Sequence, residues 1–163
     1  MSTSARVAVG ADHRGSEAAR AIAESLRRAG HEVTLFESNP DTPSDYPELA
    51  WKVGRAIHDG SADRGVLICG TGIGMSMAAN KIDGVRAAVV HDEMTSQLSR
   101  AHNDANVLCL SADLLGERLM DKLVQVFMTT EFEGGRHARR VNKIGAIEHG
   151  TDPSTGPSAG QSC

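Results

Sequence analysis

Six consecutive residues, Cys69-Gly70-Thr71-Gly72-Ile73-Gly74, put a thiol at the mouth of a glycine loop, directly after the apolar run Gly65-Val66-Leu67-Ile68. Glycine has no Cβ, so the chain can turn sharply there and bring backbone N–H groups close to a ligand. The helix-forming stretch Met75-Ser76-Met77-Ala78-Ala79-Asn80-Lys81 follows. The first N–H groups of a helix have no internal partners, which adds to an anion-binding hollow. A cysteine in that field has its thiolate favoured, making Cys69 a candidate base or nucleophile. A free cysteine at a strand end is otherwise a small packing residue; the loop shifts the reading to chemistry. Cys109, inside an apolar run without such a loop, reads as packing, and Cys163 as an exposed tail thiol.

Other reactive side chains have two readings each. Asp12-His13 either caps a first helix or handles hydroxyl protons at a ligand edge. His102-Asn103 alone reads as a helix end, where an imidazolium meets the negative pole. Arg136, His137, Arg139 and Arg140 follow Gly134-Gly135 and form either a solvated face or a phosphate grip. One helical turn sets Arg136 and Arg140 on the same side, and paired guanidiniums suit phosphate. Two nucleotide motifs fail. The dinucleotide fingerprint lacks its third glycine, Met75 and Met77 occupying the candidate positions, and no Gly-Lys-Ser/Thr closes a Walker loop. The seven histidines show no metal-ligand spacing, so neither a metal nor another cofactor is expected.

Five short apolar runs predict the strands that position these groups: Val7-Ala8-Val9, Val33-Thr34-Leu35-Phe36, Val66-Leu67-Ile68-Cys69, Ala87-Ala88-Val89-Val90 and Val107-Leu108-Cys109-Leu110. None alternates, which suits strands covered on both faces. Helical spacing separates them: Ala19, Ile22, Ala23 and Leu26, stopped by Gly30; Leu49, Val53 and Ile57, from near Pro47 to before Gly60; and a helix from about Glu93 to Ala101. Leu115, Leu119, Leu123, Val126 and Phe127 mark a further amphipathic helix. A last one is expected from about His137 to His149, with Val141, Ile144 and Ile147 as its apolar side. The alternation implies a doubly wound, Rossmann-like parallel sheet of five strands with helices on both faces and a helical C-terminal extension, an α/β fold. Residues 1–150 are expected to form one domain, and the Pro/Gly/Ser-rich 151–163 a flexible tail.

Ligands of such sheets collect beyond the carboxyl ends of the strands. Asp12, His13, Cys69 and His91-Asp92 belong to that edge. His102 precedes strand five and so belongs to the opposite edge; a second subunit is one way to bring it to the same chemistry.

A length of 163 residues can bury a real core. A formal net charge of -4 argues against non-specific nucleic-acid binding, and no basic run suggests a membrane surface. No apolar stretch approaches the roughly 18 residues that span a bilayer, and no secretory pattern opens the chain. Three cysteines without CxxC spacing favour reduced thiols, hence a cytoplasmic location.

Several ordered motifs together resemble the type-B ribose-5-phosphate isomerases and their allose-, galactose- and tetrulose-phosphate isomerase kin: Gly10-Ala11-Asp12-His13, Asp45-Tyr46-Pro47, Cys69 through Ser76, Ala79-Asn80-Lys81, Arg86-Ala87, His102-Asn103-Asp104-Ala105-Asn106 and Gly134-Gly135-Arg136-His137. The resemblance runs from about Val7 to Glu148. It implies metal-free aldose–ketose isomerisation of a sugar phosphate through a cis-enediolate, ribose 5-phosphate to ribulose 5-phosphate being the leading substrate pair. It implies Cys69 as the base between C2 and C1, amides of Gly70, Gly72, Ile73 and Gly74 on the developing oxyanion, and Thr71 assisting hydroxyl protons. Asp12 and His102 would open the ring, Asn103 would orient the substrate, and His13, Arg136 and Arg140 would hold the phosphate. A homodimer sharing its sites is implied, with tetramers among relatives, and neither nucleic acid nor membrane as partner.

One residue departs from the pattern. Asp113 stands where these isomerases commonly carry a phosphate-binding arginine, and an anion near a phosphate reverses the Coulomb term. Either Asp113 pairs with a nearby arginine or the substrate differs, to a tetrulose 4-phosphate or hexose 6-phosphate. The reading from another class is a regulatory module whose loop only holds a nucleotide phosphate.

Overall fold

The computed structural model describes residues 4–39, 41 and 44–155. The chain alternates β1 (Arg6–Ala11), α1 (Ser16–Arg28), β2 (Glu32–Glu37), α2 (Tyr46–His58), β3 (Arg64–Cys69), α3 (Ile73–Ala79), β4 (Ala87–Val89), α4 (Glu93–Ala101), β5 (Val107–Ser111), α5 (Glu117–Thr129) and α6 (Arg136–Glu148). The strands form one sheet in the order β2-β1-β3-β5-β4, with every pairing parallel. The α/β expectation therefore holds. The tail beyond residue 155, with Cys163, lies outside the described residues.

The core has two layers. One joins α1 and α5 to the sheet through Ile22, Leu26, Ile68, Leu108, Leu123 and Phe127; the other joins α2 and α3 through Leu49, Val53, Leu67, Met75 and Cys109. Each fully buried side chain of this size contributes about 1.5–3 kcal/mol.

Local signals explain the element ends. After α1, Gly30 takes φ +92°; its N–H donates to the Arg27 carbonyl at 3.0 Å and that of His31 to Leu26 at 3.1 Å, the pair of bonds that closes a helix around a left-handed residue. At α4, the Asp92 carboxylate accepts from the Thr95 N–H at 2.7 Å and satisfies one of the helix's unpaired donors.

Three sequence expectations need correction. β2 is an edge strand with only partly covered side chains, so both-face burial fails there. On α5 the buried face is Met120, Leu123, Val124 and Phe127; Leu119 is exposed and Leu115 precedes the helix. Met120, Leu123, Val124 and Phe127 are spaced i, i+3, i+4 and i+7, so they share the one face that packs on the sheet. On α6 only His137 is buried. Of the expected apolar side, Val141 is half-buried, and Ile144 and Ile147 are 44% and 60% exposed, with no element among the described residues covering them.

Strand order reverses at β1/β3, since the chain leaves β1 for one neighbour and returns to the other side. At such a switch point the loops diverge and leave a crevice. The approach is close: the Asp12 N–H donates to the Ile68 carbonyl at 3.3 Å, and a Cβ on Gly15 would lie 2.5 Å from that same oxygen. Only glycine lets the start of α1 press against the end of β3. Gly15→Ala is expected to lose about 1–3 kcal/mol of stability by overpacking. Gly145→Ala, inside α6 with open space around it, is expected to gain about 0.5–1 kcal/mol. Urea unfolding of the two variants measures both.

Candidate active site

At the C-terminal edge, β3 ends in Cys69, whose Sγ accepts the Gly72 N–H at 3.1 Å. Gly72 takes φ +77°, the left-handed conformation that folds the loop back over the sulfur. The Thr71 hydroxyl accepts the Ile73 N–H at 3.3 Å, and Gly74 packs so closely on Tyr46 that a Cβ would meet the ring at 2.6 Å. Residue 70 is pinned by the Ser111 hydroxyl, which donates to its carbonyl at 2.6 Å. With α3 only seven residues long, the anion cradle rests on loop amides more than on a long helix dipole. Cys69 keeps 6% of its surface; Cys109 keeps none. Burial pushes the Cys109 thiol far above the usual thiol range, so of these two thiols Cys109 is the packing residue, as the sequence indicates.

Asp12 arrives beside Cys69 from the end of β1. Its Oδ1 accepts the N–H groups of Arg14 and Gly15 at 2.9 and 3.2 Å. The carboxylate thus organises the turn into α1 rather than capping the first turn of the helix from Gly15, the residue at the cap position. His13 lies exposed next to it. Asp113, the departure from the family pattern, pairs with Arg14: Nε lies 3.2 Å from both carboxylate oxygens and Nη2 2.8 Å from Oδ1.

His102 and Asn103 lie elsewhere. They end α4 before β5 begins, at the N-terminal edge of the sheet. β3 and β5 run in register from Gly65↔Val107 to Cys69↔Ser111, four residue steps of about 3.3 Å, or roughly 13 Å of strand between the two edges. The single chain therefore splits the expected residues into two groups. Asp12, His13, Cys69, Gly70, Thr71, Gly72, Ile73 and Gly74 share one edge; His102, Asn103 and Arg136 share the other, where Arg140 follows one turn along α6.

The second group is tightly built. The His102 and His137 rings stack with centroids 4.1 Å apart and planes within 7°. Glu133 Oε2 lies 3.7 Å from His102 Nε2 and 3.5 Å from His137 Nε2. Arg136 Nε donates to His137 Nε2 at 3.4 Å, and the Glu133 N–H donates to the Ala101 carbonyl at 3.0 Å. Behind them, buried Arg100 donates to Asp104 and to the Ala105 carbonyl, both at 2.7 Å, and Arg86 reaches Asp104 at 3.1 Å. Asp104 sits at φ +45°, a left-handed position that this double pairing holds. Asn103 also lines a cavity of about 570 Å³ with Lys81, Arg86, Ile144 and Ile147; Cys69 does not.

Sequence spacing missed Glu133 and Arg14, and did not foresee the burial of His137. Glu133 joins His102 and His137 in a set of potential metal donors with ligand atoms within 4.8 Å of one another, a grouping that spans the end of α4 and the loop before α6. His137 is nearly buried. Arg14 carries no motif signal beyond its place after Asp12-His13.

Residues 7–144 match the ribose/galactose isomerase family. The chain is 41% identical to ribose-5-phosphate isomerase B of Escherichia coli over 143 residues, covering 88% of this chain and 96% of that protein. It is 40% identical to D-erythrulose-4-phosphate isomerase of Pectobacterium atrosepticum over 144 residues, with 88% and 95% covered. The crystal structure of ribose-5-phosphate isomerase B from Mycoplasma genitalium with bound ribulose-5-phosphate superposes with a TM-score of 0.82 at 39% identity, covering 90% of this chain and 97% of that one.

Burial, together with the neighbouring His102 ring and Arg136, holds the His137 imidazole below its ordinary range. The unfolded chain then binds the extra proton between that lowered midpoint and about 6.5. Stability is complete above about pH 6.5, falls as pH drops through that window, and levels off below the native midpoint. A histidine-resolved NMR titration is expected to place His137 below 6.5. In His137→Phe, which keeps a ring on His102 without the titrating group, the acid-side loss of stability is expected to be shallower.

Proposed function

The chain belongs to the ribose/galactose isomerase family and is a sugar-phosphate isomerase, and from that premise we propose that it interconverts ribose 5-phosphate and ribulose 5-phosphate with Cys69 as base. The observation that carries this reading is the Cys69 sulfur seated under the Gly72 amide at 3.1 Å, at the switch point of the sheet. A thiolate there takes the C2 proton of the open-chain aldose. The electron pair moves into the C1–C2 bond as the carbonyl oxygen becomes an enediolate oxygen, and the thiol returns the proton to C1 to leave the C2 ketone. Amides of Gly70, Gly72, Ile73 and Gly74 stabilise the charge that develops, those of Gly72 and Ile73 leaving Cys69 Sγ and the Thr71 hydroxyl to do so, and the Thr71 hydroxyl passes the proton between O1 and O2.

The reading requires two copies of the chain. The partner subunit's His102 opens the sugar ring with Asp12, and the partner subunit's Asn103 orients the open chain. His13 holds the phosphate with the partner subunit's Arg136 and the partner subunit's Arg140. Two facts support a homodimer: the roughly 13 Å of strand between the edges, and an α6 whose Ile144 and Ile147 are uncovered in one chain. A cytoplasmic setting, with Cys69 and Cys109 kept as free thiols, completes the reading. Among the described residues no helix is long and apolar enough to cross a membrane.

A second reading keeps the chemistry and changes the sugar to a tetrulose phosphate, favoured by Asp113 and by the Pectobacterium relative whose name carries that substrate. A panel of phosphorylated aldoses and ketoses separates the two by kcat/KM. Activity lost on chelation would count against the metal-free chemistry.

Cys69→Ala is expected to lower kcat by about 10²–10⁴ with any substrate of the panel, the range typical of removing a positioned proton-transfer group. A module that merely binds a nucleotide phosphate would show no isomerase activity at all. Shared sites give a sharper outcome. Cys69→Ala and His102→Ala subunits, each inactive alone, are expected to recover about a quarter of wild-type activity after mixing and reassociation, because half of the random dimers carry one intact site of two.

A further inference from the structure

On the reading of this chain as a sugar-phosphate isomerase, we propose that Arg14, clamped by Asp113, is a phosphate-binding cation at the Cys69 edge and that the pair sets which phosphorylated sugar is accepted. The two residues come from different loops, Arg14 after β1 and Asp113 after β5, and β3 lies between those strands. Their ion pair therefore arches over the point where Cys69 passes into the glycine loop. A Cβ on Gly70 would lie 2.9 Å from Asp113 Oδ2 and 3.2 Å from Arg14 Nε, so the pair rests directly on that loop.

Both ends are fixed to the site they cover. The Asp113 N–H donates to the Gly70 carbonyl at 3.1 Å, and the Arg14 N–H to Asp12 Oδ1 at 2.9 Å. The guanidinium spends its Nε–H and one Nη2–H on Asp113. A guanidinium carries five N–H donors, so three remain for an anion. With 55% of the Arg14 side chain and 40% of that of Asp113 exposed, those donors are open to a ligand. A lone carboxylate at position 113 would repel a phosphate dianion. Neutralised by Arg14, it becomes the clamp that orients a planar fork, the geometry suited to phosphate oxygens. An exposed ion pair contributes little to stability, which leaves ligand recognition as the role that fits its position. Resting on the Gly70 loop that follows Cys69, the pair fixes where the anion sits relative to the base, so the length of sugar between C2 and the phosphate is what it can discriminate.

The test uses the full chain. Arg14→Gln is expected to raise KM for the preferred sugar phosphate about tenfold or more, the loss falling on KM rather than kcat, as for removal of a charge-assisted contact. Calorimetric titration with inorganic phosphate is expected to show a matching loss of affinity. Asp113→Asn, which keeps the cation and releases the clamp, is expected to raise KM less. The exchange Arg14→Gln with Asp113→Arg is expected to recover KM and to shift preference among sugar lengths. Should Arg14→Gln fail to fold, Arg14→Lys, which keeps the charge without the fork, carries the same comparison. Unchanged KM and unchanged phosphate affinity in a folded Arg14 variant would overturn the proposal, as would a loss confined to kcat. A wild-type chain that turned over no phosphorylated sugar would instead overturn the isomerase reading, while the phosphate titration would still decide the role of Arg14.

Discussion

A sheet whose strands all run one way has two chemically different edges, and everything about this molecule follows from that polarity. Every strand delivers its last residue to the same side. The order β2-β1-β3-β5-β4 then places the ends of β1 and β3 next to each other at the reversal. There the chain concentrates Asp12, His13, Cys69 and the glycine loop, each within a residue or two of a strand end. Residues that precede strands are sent to the other edge with equal certainty. His102 and Asn103 therefore cannot meet Cys69 within one chain, so the proposed chemistry requires a second copy as a consequence of strand direction.

The two edges solve different physical problems. At the Cys69 edge backbone must come very close to backbone, so the determining residues lack side chains. Gly15 lies against the Ile68 carbonyl, Gly72 turns over the sulfur, and Gly74 admits the Tyr46 ring. At the His102 edge the problem is to hold a polar segment still without regular secondary structure. Buried Arg100, stacked at 5.7 Å over Phe127, fixes Asp104, and Asn106 spans the Arg86 N–H and the Gly84 carbonyl at 2.8 Å each. Asp104 and Asn106 are thus the frame on which His102 and Asn103 are mounted.

Charge is arranged locally rather than globally. Although the formal net charge of the chain is -4, its cations are held in fixed local geometry, Arg14 by Asp113 and Arg136 beside His137. Within a screened solvent, contact geometry outweighs the distant total.

Much was legible in the order of residues alone. Five apolar runs separated by helical stripes identified the parallel sheet, because strand–helix alternation has few compact solutions. The thiol before a glycine loop marked the C-terminal end of β3, and the place of His102 ahead of β5 already assigned it to the far edge. These are properties carried along the chain, and the sequence determines them directly. Tertiary structure decided what depends on groups remote in sequence. It joined Arg14 to Asp113 across 99 positions, stacked His137 on His102 with Glu133 beneath, rotated the buried face of α5 from Leu119 to Met120, and left the apolar side of α6 without cover. No local pattern encodes such pairings, because their energies depend on distances that exist only after the chain has closed on itself.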